Sequence, residues 1–490
     1  MIKEFLNLSK HTIIYGFGQV ASRSITVLLV PLYTAYLTTS DYGILQITRV
    51  YNQLLLTLML VGMSVSLFRV YFQANDEYDR KIILSTTFIT YFIISLFIFT
   101  PIIWILSNYS DYLINIPESK KILWLVFISV FLEGFFTLQL AILRAKEKSK
   151  AYSLINLIRV IIYIGLILFF VVYLKKSYVG VIWAGIYSLI IINIIMIPYI
   201  LPDFIVKISY KYLREIIGIG IPLCISLLGA WVLNLSDRYM IQYLMPQTVA
   251  MSHVGIYSLG DKLAQIVRFI LVMPFMLTWG AQMYKYAEKK EAKNIYKKVM
   301  NVYFFIACLI GLFLAFFAKE IVVLMAQNPE YYPAYKVVPF LTFSKILTGV
   351  ILIISVGSVL TNHTRYVAIS SFAAAILNIL FNFILIPRFE IMGAALGSLF
   401  AYFLNVIILY YLTQKKYYVA YDKWRLLFFG VLILFASVLV NYVQLNFVIK
   451  ISIFILILLV SPIFKLVTYK NISNIVIYAR KYVFNYRKQT

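Results

Sequence analysis

Apolar residues run along this chain in long continuous stretches, broken by short polar segments. The stretches 82–106, 121–143, 151–174 and 448–461 hold very few charges. A helix needs about 20 predominantly apolar residues to cross the ~30 Å hydrocarbon core of a bilayer. The stretches are unbroken rather than alternating over ten-residue segments, so they predict membrane helices and not a β-barrel. The predicted spans are 11–37, 43–68, 82–106, 121–143, 151–174, 178–200, 215–237, 254–282, 299–318, 335–360, 364–386, 392–413, 424–442 and 446–466. The expected fold class is an all-α polytopic membrane protein of about fourteen transmembrane helices.

The polar segments give a direction to this pattern. Those at 69–81, 144–150, 203–214, 285–298, 362–365 and 415–425, with the C-terminal tail, hold almost all the loop Lys and Arg. The segments between them, 38–41, 107–120, 175–177, 239–253, 319–333, 388–390 and 442–445, hold few. Cytoplasmic loops carry the excess of Lys and Arg, so both termini are expected in the cytoplasm. No loop is long enough for a soluble catalytic domain.

Composition agrees with the pattern. Of the 490 residues 62% are hydrophobic and 13% charged, against about 25% charged in a soluble domain. The formal net charge of +25 would suggest a nucleic-acid partner for a soluble protein. Here the bases cluster between apolar runs, which suits loops at an anionic leaflet. Membrane lipid is the expected partner, nucleic acid is not, and a monomer is expected. The two cysteines, Cys224 and Cys308, sit inside apolar runs, which predicts no disulfide and no metal site. Residues 1–10 lack a signal-peptide cleavage pattern. The string Gly255–Lys262 is the nearest approach to a phosphate loop, but Asp261 stands where such a loop needs its Lys. No cofactor is expected, and movement of a substrate would need an ion gradient, downstream consumption or another protein.

A weak repeat divides the chain. Gly43-Ile44 recurs as Gly255-Ile256, 212 positions on, with Gln53 opposite Gln265 and Arg49 opposite Asp261. This predicts two six-helix bundles, 1–212 and 213–415, entering the membrane in the same direction, followed by 416–490 with two further helices and a tail. Parallel repeats of this kind commonly bind substrate between them.

An ionised side chain at the bilayer centre costs at least ~2.5–3.5 kcal/mol, so it faces a wet cavity or a partner. Arg23, Arg49, Arg159, Arg268 and Lys345 are candidates to bind an anionic group such as a pyrophosphate, the arginines through their planar fork of donors. Gln19, Gln53, Gln265, Asn378 and Asn382 are candidate polar lining. Glu133 and Asp261 are candidates for proton or sodium coupling. The competing account for each charge is internal pairing, for example Glu133 with Arg159, or Asp261 with Lys262 or Arg268. His11, His253 and His363 fall near membrane surfaces. Pro222, Pro274 and Pro387 are candidate bending points.

Three stretches resemble a known family. They are Pro31–Gly43; Ile221-Pro222 with Ser236-Asp237-Arg238-Tyr239 and Val254–Ser258; and Leu377–Pro387 followed by Gly393-Ala394-Ala395. They are similar to polysaccharide-exporting flippases, the Wzx-type translocases of O-antigen and capsule repeats, across residues 1–415. Glu390 stands where the family usually has Gly. The resemblance implies a V of two six-helix bundles around a central cavity, alternating access, and two further helices flanking a lateral opening for a lipid tail. It implies cationic cavity residues, matched by Arg23, Arg49 and Arg268. The implied substrate is an undecaprenyl-pyrophosphate-linked oligosaccharide moved to the outer leaflet, with a polysaccharide polymerase or chain-length machinery as partner. Lipid II flipping and cation-coupled drug antiport remain alternatives within the superfamily. A membrane polymerase or ligase is the alternative from another class, and its catalytic external loop is missing from the sequence pattern, so no enzyme is expected.

Overall fold

A computed structural model describes residues 29–460, apart from 114, 115, 117 and 444, together with residue 466. Every regular element among them is helical, and eleven helices are long and apolar enough to cross a membrane. They fall on the predicted spans. The 50-residue helix Arg365–Gln414 contains two of those spans, joined at Glu390, whose φ of 51° and ψ of −130° lie outside helical values. Phe447–Val460 is a shorter apolar helix where 446–466 was expected. Of the first predicted span, the described part is helical over Val30–Tyr36. Large apolar side chains such as Phe97, Trp104 and Ile161 are exposed, as residues facing hydrocarbon are.

The helices group into two compact units. The first comprises the described residues up to Leu259, with Met325–Tyr331 and Ala375–Ala394; the second comprises Gly260–Leu324, Tyr332–Ala374 and the described residues from Ala395.

In the first unit, local chemistry fixes where helices begin and break. Thr38 and Asp41 form a reciprocal capping box at the start of Thr39–Leu60, satisfying two backbone donors that the helix cannot. Asp76 caps Glu77–Ile93 by accepting from the Asp79 amide. The helix Thr39–Leu60 ends because Val61 and Gly62 both turn left-handed, with φ of 44° and 70°. Gly62 also lets the backbone of Gly220 approach, where a Cβ would stand 2.5 Å from the Gly220 carbonyl oxygen.

Without a hydrophobic drive between helices in lipid, close packing over small residues holds them together. The helices Thr39–Leu60 and Gln247–Val267 touch backbone to backbone at Gly43 and Gly255. A Cβ on Gly43 would lie 1.8 Å from the Met251 carbonyl oxygen, and one on Gly255 would lie 2.1 Å from that of Thr39. Tyr91 fills a notch over Gly134, its hydroxyl donating to the carbonyls of Val130 and Phe131 at 3.1 Å each. Phe136, Leu140, Tyr152, Ile155, Leu189 and Ile192 close a core among the helices Ser119–Ala145, Ser149–Ile167 and Ser177–Ile200.

The second unit uses the same devices. Tyr303 sits over Gly349 and donates to the Ile346 carbonyl at 3.2 Å, joining Ala292–Phe316 to Val338–Ile354. The segment before Lys423–Val443 is tied to Ala292–Phe316 by Asp422, which accepts from Lys297 and Asn301 at 2.9 Å each. Lys450, buried at the start of Phe447–Val460, pairs with Glu320 at 2.8 Å.

Three short π-helical turns interrupt the long helices, at Ile94–Phe99, Leu168–Tyr173 and Arg268–Val272. Two of them lie just before a proline, Pro101 and Pro274. A proline has no amide hydrogen and its ring crowds the preceding turn, so the helix there widens. Pro222 lies within the continuous helix Tyr210–Leu244, and Pro387 lies three residues before the break at Glu390.

Candidate functional site

Polar side chains inside the spans form separate clusters. In the first unit, Arg49 projects from Thr39–Leu60 into a set of phenols. Its guanidinium hydrogen-bonds Tyr163 and lies beside Tyr33 and Tyr42. The hydroxyls of Tyr33 and Tyr163 are 3.2 Å apart, and both Tyr33 and Tyr42 are fully buried. A guanidinium offers only donors, while each phenol both donates and accepts. The group can therefore present several convergent donors to one oxyanion without first breaking an ion pair to these neighbours.

Arg159 stands differently. It lies 3.8 Å from Glu133 and 4.8 Å above the Phe136 ring, the internal pairing that the sequence left open. Gln53 is exposed, and its backbone carbonyl accepts from the Thr57 hydroxyl. Arg23 and Gln19 lie outside the described residues.

The polar residues of the sequence motifs gather around Asp237. This buried carboxylate accepts from Tyr257 at 2.5 Å, Asn382 at 2.8 Å and Asn378 at 3.2 Å. Ser236 donates to Asn378 at 3.0 Å. The Asn382 side-chain oxygen is buried without a hydrogen-bond partner among the described residues. Arg238 donates to the Ser258 hydroxyl at 3.1 Å and the Asn234 carbonyl at 3.2 Å. Asn378 and Asn382 were expected as cavity lining. Their contact with Asp237 was not, although four-residue spacing puts both amides on one helix face. His253 lies 3.3 Å from Glu390, so it is engaged by the bend as well as placed near a helix end.

In the second unit, Asp261 and Lys345 form a buried ion pair at 3.1 Å, with side chains 3% and 5% exposed. Gln265 donates to the same carboxylate at 3.1 Å. Asp261 thus takes Lys345 as a partner, a residue more than 80 positions away, in addition to whatever its chain neighbours supply. Arg268, half-buried, opens a π turn, and such turns recur at functional sites.

Comparison with known proteins agrees with this architecture. The chain has the fold of a lipid II flippase, MurJ, in an inward closed conformation: TM-score 0.70, 16% identity, over 92% of this chain and 98% of that one. It has also the fold of an inward-facing multidrug resistance MATE family transporter: TM-score 0.67, 13% identity, over 82% and 94%. An uncharacterized membrane protein of Methanocaldococcus jannaschii, MJ1068, is 25% identical over 240 residues, 46% of this chain. That match spans 45% of the curated relative's own length. The family described as polysaccharide biosynthesis protein matches residues 8–279. With more than half of its length matched and its helices in the arrangement of membrane transporters, the chain is a multi-pass membrane protein that belongs to the polysaccharide biosynthesis protein family.

Proposed function

We propose that the protein is a flippase that carries an undecaprenyl-pyrophosphate-linked oligosaccharide from the inner to the outer leaflet of a bacterial cytoplasmic membrane, for O-antigen or capsule synthesis. The observation that carries this reading is Arg49 among Tyr33, Tyr42 and Tyr163. A half-buried fork of donors with phenols beside it suits a phosphate and the sugar next to it, since aromatic rings stack on sugars and hydroxyls bond to them. Arg268 and Arg23 are proposed to assist. Arg159 is proposed to enter only when Glu133 releases it. The six-helix halves 1–212 and 213–415 would act by alternating access, with the termini cytoplasmic and a polymerase downstream.

Ion coupling is proposed at Glu133 and Asp261, with Asp237 a further candidate because Tyr257, Asn378 and Asn382 all donate to its carboxylate. The likeness to MurJ keeps lipid II as the second substrate reading, and the likeness to a MATE transporter keeps cation-coupled drug antiport as the third.

The test is deletion of the gene and its complementation with wild type, Arg49→Ala or Arg49→Lys. Undecaprenyl-linked glycans are then scored by leaflet with a membrane-impermeant lectin. Under the proposal, a complete repeat unit accumulates on the cytoplasmic face, Arg49→Ala fails to clear it, and surface polymer is lost. Trapped peptidoglycan precursor would favour lipid II instead. Normal export from Arg49→Ala would remove Arg49 from the mechanism.

A further inference from the structure

The second unit contains a groove of about 450 Å³ whose lining includes none of the polar clusters described above. It lies among Ala292–Phe316, Val338–Ile354, the stretch 395–414 and Lys423–Val443, all of them within candidate membrane spans. Phe304, Phe343, Val350, Phe403 and Val431 are typical of its wall, which is almost wholly apolar. Gly430 lets the Phe304 ring pack directly on the helix Lys423–Val443, since a Cβ there would stand 2.9 Å from it. Phe403, Ile407, Leu427 and Val431 are exposed along one side, so the groove opens laterally.

Its polar side chains lie where Tyr410 and Tyr421 meet Lys423, and Tyr421 and Lys423 sit at the start of the helix Lys423–Val443. Lys423 and Arg425 are both exposed there. Two bases in the first turn face the positive end of the helix dipole, a placement that is unfavourable unless an anion lies beside them. The nearest acid, Asp422, feels the charge of Arg425, but its hydrogen bonds come from Lys297 and Asn301, and it is one carboxylate among three bases. Such a site has a slot for hydrocarbon at bilayer depth and positive charge at its mouth, flanked by the tyrosines and Trp424 that favour the headgroup region.

We propose that this groove holds one acyl chain of an anionic glycerophospholipid, its phosphate on Lys423 and Arg425, as a resident lipid and not as cargo. The inference does not depend on what the protein transports, because it concerns retention of lipid by the resting protein.

The experiment is to purify the full chain from membranes containing both phosphatidylglycerol and phosphatidylcholine, and to count each lipid retained after size-exclusion chromatography by native mass spectrometry. One retained phosphatidylglycerol per chain is expected. A lysine near the membrane surface attracts anionic lipid by about 1 kcal/mol, so the preference over phosphatidylcholine should be about fivefold for each base. Lys423→Gln should lower that preference while leaving a lipid bound. Val431→Trp, on the exposed side of the groove, should reduce retention of both lipids and leave the elution volume unchanged. Equal retention of the two lipids by wild type would overturn the headgroup assignment. Full retention in a monodisperse Val431→Trp protein would overturn the groove. A polyprenyl phosphate retained in place of glycerophospholipid would overturn the proposed occupant.

Discussion

At the scale of single residues, the sharpest constraints are positions without room. Gly43 faces a carbonyl that a methyl group would overlap. Gly43→Ala should therefore destabilise by ~1–3 kcal/mol, as overpacking does, seen as a lower midpoint in thermal unfolding in detergent. Gly165, with no atom within 4 Å of its would-be Cβ, is the control. Gly165→Ala should be neutral or stabilise by ~0.5–1 kcal/mol through helix propensity. Glu390 gives the opposite case. Its left-handed φ costs of order 1–3 kcal/mol, while an exposed pair with His253 returns at most ~1 kcal/mol. Glu390→Gly should raise the unfolding midpoint, and a fall would mean that the His253 contact dominates. The buried pair Lys345–Asp261 is predicted to be asymmetric. Lys345→Ala should destabilise by ~3–5 kcal/mol because it strands a charge, whereas Lys345→Met with Asp261→Leu should recover most of that loss. If the double variant folds and still transports, the pair is structural alone. These residues were visible in sequence as intramembrane charges. Which of them met was not visible, because Asp261 and Lys345 are joined by tertiary packing between helices distant in the chain. The amides at 378 and 382 could be placed on one face but not against Asp237.

At the scale of elements, the spans were legible because the length of the unbroken apolar runs sets them, and the basic clusters mark segments between them. The interruptions were less so. The π turns before Pro101 and Pro274 follow from the proline chemistry, but the one at Leu168–Tyr173 has no proline to announce it. Val61 was equally hidden, a β-branched residue in a left-handed turn that its neighbour Gly62 helps to make. The tie between Asp422 and Ala292–Phe316 makes a pH prediction. Burial works to raise the Asp422 pKa, but hydrogen bonds from Lys297 and Asn301 and the charges of Lys297 and Arg425 outweigh it, so the carboxyl titrates below its ordinary value of 3.8. A carboxyl depressed on folding stabilises fully above that value and loses its contribution as pH falls through the lower folded pKa. Asp422→Asn should therefore lower the unfolding midpoint at pH 7, and the gap to wild type should close only as pH falls below about 4.

At the scale of the whole molecule, the alternation of loop charge makes a topological prediction that needs no transport assay. The native cysteines, Cys224 and Cys308, are buried, so a single new thiol can report its side of the membrane. In intact cells Asn108→Cys should react with a membrane-impermeant maleimide, and Lys290→Cys should react only after permeabilisation. The reverse pattern would invert the assigned orientation.

The 212-residue offset recurs in the packing of two tyrosines. Tyr91 and Tyr303 are 212 positions apart, the same offset as Gly43 and Gly255, and each seats its hydroxyl over a glycine of another helix. The glycine contact goes further, because it is reciprocal. Gly43 meets the carbonyl of Met251, Gly255 meets that of Thr39, and the same offset carries Thr39 onto Met251. Exchanging the two members of each pair returns the same contact, which is the geometry of an isologous interface between identical subunits about a two-fold axis. In a homodimer, one codon would govern both sides, and any change would strike twice. Joined in one chain, the two positions can diverge singly, and a backbone displaced by the first methyl group has already made part of the room for the second. Gly43→Ala and Gly255→Ala should therefore cost less together than the sum of their separate costs.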